Sequence, residues 1–147
     1  MLSWVLSFAV VTGSVGVTQS ANTHPNFSGA WTRVSETLTK SPTAKEPISM
    51  FSFGPTVAIA QTATALTIAT WTLALDGTPQ KDGEGAMSKA QWAGQTLVLT
   101  EEEPAAPGKP ASIHKVVLSL DKDGRLSIDI TAVPVADVVK LHAVYRK

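Results

Sequence analysis

Cysteine is absent from the 147 residues. No disulfide staples the fold, no thiolate is available as nucleophile or soft metal ligand, and no thiol follows the apolar N-terminus to carry a lipid anchor. Charge is missing locally as well: residues 1–32 contain no Lys, Arg, Asp or Glu. Over the whole chain 12 basic and 12 acidic side chains cancel, so there is no electrostatic footprint for nucleic acid or an anionic membrane. No apolar run reaches the roughly 20 residues of a membrane-spanning helix. Aromatic residues are scarce, with a single Tyr.

The signatures of catalysis and metal binding are missing too. There is no Gly-x-Ser-x-Gly elbow, and lone serines such as Ser28 and Ser88 have no histidine beside them in sequence. The three histidines, His24, His114 and His142, lack the close pairing usual among zinc ligands; His24 falls in a polar hinge, and His114 and His142, which could approach if their strands pair, read as polar strand-face residues. Asp121-Lys122-Asp123-Gly124 begins like a calcium loop, but its twelfth place is Ala132 rather than Glu, so it reads as a turn. Glu101-Glu102-Glu103 before Pro104 reads as a solvated strand end that blunts a sheet edge. The expectation is no enzyme, no metal and no cofactor.

What the chain does have is alternation. Leu97-Val98-Leu99-Thr100, Val116-Val117-Leu118-Ser119-Leu120 and Leu126-Ser127-Ile128-Asp129-Ile130 place every second apolar side chain on one face. Turn signals separate such runs: Asp76-Gly77, Ala93-Gly94 and Asp121-Lys122-Asp123-Gly124. Expected strands cover 29–34, 56–60, 65–70, 71–75, 86–92, 95–101, 112–120, 125–132 and 140–145, with 35–55 the least regular stretch. No 3.6-residue apolar stripe follows residue 25. These features predict an all-β chain, an antiparallel up-and-down meander barrel of about eight strands; a two-sheet sandwich is the alternative. Residues 1–21, apolar and then small and polar, read as an export leader, although no basic residue precedes the apolar run; a buried first strand or a disordered leader remains open. Residues 22–147 then form one domain, exported to the periplasm or the extracellular space without a stable membrane anchor.

Phe27-Ser28-Gly29-Ala30-Trp31-Thr32 resembles the Gly-x-Trp opening of lipocalin-type barrels. The resemblance implies that Gly29 permits a close turn into the first strand and that Trp31 plugs the closed end, with Arg146, the only late Arg placed for it, covering the indole. The rest of the chain is similar to a group of small exported bacterial lipocalin-like proteins. Leu75-Asp76-Gly77, the hairpin from Gln91 to Leu99, the hairpin from Leu118 to Ile128 and the ending Val144-Tyr145-Arg146-Lys147 carry that likeness.

A lipocalin-like barrel implies a lumen that binds a small apolar or amphipathic molecule. Phe51 and Phe53, with Met50, read as a flap, and Leu73, Trp92 and Leu97 as lumen or mouth. Small inward candidates (Ala86, Ser88, Ala90, Ala132, Ala143) leave room for a ligand. The alternative is a non-catalytic structural or protein-interaction module with a packed interior.

Overall fold

The structure, a computed structural model, describes residues 24–41, 53–108, 110–134 and 139–147. The expected leader over 1–21, Met50 and Phe51 lie outside the described residues. Ten strands form one antiparallel sheet: β1 Gly29–Lys40, β2 Thr56–Gln61, β3 Ala65–Ile68, β4 Trp71–Ala74, β5 Gln80–Lys81, β6 Met87–Ala93, β7 Thr96–Glu103, β8 Ser112–Leu120, β9 Leu126–Pro134 and β10 Val139–Arg146. The spatial order is β4-β3-β2-β1-β10-β9-β8-β7-β6-β5, a meander in which the first and last strands pair. A lone bridge between Asp76 and Gln91 brings β4 to β6 and nearly closes the barrel. Among the described residues there is no helix, and therefore none long and apolar enough to cross a membrane.

The expected barrel is present, with a strand count of ten rather than about eight. The uncounted strand is the two-residue β5, which lies between the expected strands 71–75 and 86–92 and whose exposed Gln80 and Lys81 give no alternation to read. The larger departure is β1, which continues to Lys40 instead of stopping at Val34. A bulge between Arg33 and Ser35 shifts its register against β10 and leaves Val34 48% exposed. An extra residue reverses the parity of the apolar pattern, so a regular strand reads as irregular.

Cross-strand register sorts the inward side chains into rows. One row runs Trp92, Leu97, Leu118, Ile128, Ala143, and the next runs Ala90, Leu99, Val116, Ile130, Leu141, Leu38. Leu97, Leu99, Leu118 and Ala90 have no exposed surface, and with Leu66 and Ile68 across the barrel they make one contiguous core. Burying an aliphatic side chain of this size stabilises the fold by about 1.5–3 kcal/mol, so these rows are a main source of stability in a fold without disulfides.

Candidate functional site

The two ends of the barrel differ. At the base, Trp31 is buried and its Nε1 donates to the Phe27 carbonyl at 2.8 Å. The segment before β1 is laced across this end by Gln61. Its Oε1 accepts from the Phe27 amide at 2.9 Å, its Nε2 donates to the Pro25 carbonyl at 3.0 Å, and its own amide donates to Ser28 Oγ at 2.9 Å. The cation over the indole is Lys147, with Nζ 4.9 Å from the ring centroid; Arg146 is exposed and pairs with Thr32 on β1. The expectation of Arg146 over Trp31 is therefore corrected to Lys147. Strand parity is the reason: Leu141, Ala143 and Tyr145 face inward, so residue 147 continues that face and 146 does not. Gly29 lies beneath the same lysine, and a Cβ there would meet Lys147 Cε at 2.8 Å.

Trp92 also belongs to the base. Half-buried, it stacks on His24 with centroids 4.1 Å apart and on Phe27 at 5.9 Å. Phe53 lies at the other end, edge-on to Trp71 with centroids 6.5 Å apart. The meander runs β6 towards the base, so Trp92 and Phe53 do not share one mouth. Leu73 and Leu97 are 4% and 0% exposed and belong to the packed core.

Just above the base, Arg33 and Glu36 form an ion pair on β1 beside the inward Tyr145, whose hydroxyl donates to the Gly54 carbonyl at 3.1 Å. Burial pushes the Tyr145 phenol above its ordinary value of 10.0, and the Arg33 guanidinium works against that rise.

At the open end the inward surface divides. On the β1–β4 side, Leu38, Phe53 and Trp71 are partly buried and pack on the core. On the β6–β8 side, the row beyond Leu99 turns polar: Ser88 faces Glu101, Glu101 faces His114, and His114 faces Ala132. In the following row Glu103 faces Ser112. His114 Nδ1 and Glu101 Oε2 are 3.2 Å apart, and the two side chains are 13% and 15% exposed. Ser112 Oγ donates to Glu103 Oε2 at 3.1 Å. A groove of about 350 Å³ lies at this rim on the outer face, where Met87, Glu102 and Ile113 share a register row, and it reaches Glu103, Pro104 and Ser112 at the edge.

The Glu-Glu-Glu run is thus only partly the solvated strand end its composition suggests. Glu102 points outward, while Glu101 and Glu103 turn in towards His114. The period of two, applied outward from Leu97 and Leu99, is the signal that would have found this. No protein-family model matches the chain, and a search of curated proteins found no match.

Proposed function

We propose that this protein is a non-catalytic binding barrel, exported from a bacterial cell, that takes one small amphipathic molecule at its open end. The apolar part of the ligand lies against Leu38, Phe53 and Trp71, and its polar part turns to the wall of Ser88, Glu101, Glu103 and His114. The observation that carries this reading is the change of the inward face between adjacent register rows, from solvent-free at Leu99 to polar and partly accessible at Glu101. Sites for small molecules combine an apolar wall with a few converging polar groups, and the open end offers both. On the β7–β8 side the interior below this row offers no such wall, because Leu97 and Leu118 are 0% exposed.

Titration of the full chain with a long-chain alkylamine and with a fatty acid of equal length, followed by tryptophan fluorescence, tests the proposal. A saturable change with at least one amphiphile is expected, weakened roughly tenfold by Phe53→Ala, which removes one face of the aromatic wall. No response up to the solubility limit would favour a second reading, a non-binding interaction module with a packed interior. Two outward apolar side chains beside the rim groove, Met87 at 38% and Ile113 at 47% exposure, speak for that alternative.

A further inference from the structure

We infer that Glu101, Glu103 and His114 form a binding site for a divalent first-row transition-metal ion such as Zn²⁺. The inference goes beyond the amphiphile reading and stands without it.

Three observations converge. The first is placement. Glu101 and Glu103 are two residues apart on β7 and share its inward face, and His114 is the direct register partner of Glu101 on β8. One potential ligand atom from each of the three lies within 4.8 Å of the other two, which lets a single ion touch all of them.

The second is donor chemistry. Two carboxylate oxygens and one imidazole nitrogen are the hard-to-borderline set that suits zinc and its neighbours. Calcium asks for six to eight oxygens, and magnesium prefers an all-oxygen shell with several waters. Three protein ligands leave a coordination position for water or a ligand atom.

The third is setting. Ser112 Oγ donates to Glu103 Oε2 at 3.1 Å, the kind of outer hydrogen bond that orients a metal-bound carboxylate. Glu103 and Ser112 also border the rim groove of about 350 Å³, so the edge of the cluster lies at the surface. Glu101 and His114 are mostly withdrawn from water, so a dication between the two carboxylates relieves a repulsion that solvent screens only in part. His142 offers the natural control: it faces outward, 2.6 Å from Asp129, with both side chains about half exposed.

Calorimetric titration of the full chain with Zn²⁺, and the visible spectrum of its Co²⁺ complex, test the site. One equivalent is expected to bind, with affinity lowered at least tenfold by His114→Gln and by Glu103→Gln and unchanged by His142→Gln. A loss no greater than theirs, roughly tenfold, is expected for Ser112→Ala. Should a site variant fail to fold, imidazole resonances of the wild-type chain decide: sub-stoichiometric Co²⁺ must broaden His114 before His24 and His142. Absence of binding at millimolar Zn²⁺, equal affinity in the His114 and Glu103 variants, or first broadening at another histidine overturns the inference.

Discussion

Gly29, Trp31 and Lys147 depend on one another. Gly29 has φ +146°, a region L side chains rarely adopt, and the stem of Lys147 fills the space where its Cβ would stand. Gly29→Ala is therefore expected to cost about 1–3 kcal/mol, chiefly through backbone strain, since the lysine tip can swing aside. Lys147→Gln is expected to cost only about 0.5–1 kcal/mol, the worth of one cation over an indole. Urea denaturation of both variants measures the difference. Tyr145 supplies a pH test free of overlap, because it is the only tyrosine. Its folded value is raised, so the folded state holds the phenol proton more tightly than the unfolded state does. That contribution is complete below the ordinary value of 10.0 and is lost as pH rises through the folded value. Tyrosinate absorbance should appear later in the native protein than in urea, and Tyr145→Phe should lessen the fall in stability above pH 10.0. At this scale Gly29 and Trp31 were legible as a triplet with a mechanism. Lys147 is legible only by carrying strand parity two residues past the expected end of the strand at Tyr145.

Among elements, two loops use one device. Asp82 Oδ1 accepts from the amides of Glu84 and Ala86 at 2.9 Å, and Asp121 Oδ1 accepts from those of Asp123 and Arg125 at 2.9 and 2.8 Å. In each loop the glycine amide, Gly85 or Gly124, donates back to the aspartate carbonyl. The sequences Asp82-Gly83-Glu84-Gly85 and Asp121-Lys122-Asp123-Gly124 carry this as an acidic residue followed by Gly at the fourth place. Asp121 joins the long strands β8 and β9, whereas Asp82 closes only the two-residue β5 onto β6. Asp121→Ala is expected to lower global stability by about 1 kcal/mol, and Asp82→Ala to loosen β5 with little global effect. Unfolding curves compared with local amide exchange separate the two.

The β3–β4 turn poses the opposite case, because Ala69 takes a left-handed φ of 51° without being glycine. Ala69→Gly relieves that strain against a smaller entropic cost, and a gain of about 0.5–1 kcal/mol in urea is expected. Hairpins were legible wherever Gly or Asp marks the turn. At 93–95 the reading was one residue off: Ala93 pairs with Thr96, and the turn is Gly94-Gln95 with Gly94 at φ 63°.

For the molecule as a whole, closure is the weak link. Strands β7 to β10 pair along most of their lengths, whereas β4 reaches β6 through one bridge at Asp76 and Gln91. Amides of Trp71–Ala74 and Gln80–Lys81 should exchange with solvent faster than those of β8 and β9, in which local opening requires global unfolding. Leu118→Ala, at a position with no exposed surface amid the longest pairings, is expected to cost about 2–5 kcal/mol and to lower protection everywhere. Uniform exchange across the sheet would show that closure is stronger than its single bridge implies.

Local chemistry determined the all-β character, the hairpin order and which side chains of each strand face the core, because alternation, turn residues and apolar burial act over a few neighbouring positions. Only the tertiary structure decided that Trp92 and Phe53 sit at opposite ends, and that Glu101, Glu103 and His114 converge. The reason is register. Which residues meet across β7 and β8 depends on how loops of different length, 104–111 included, bring distant strands side by side. No window of sequence contains that pairing.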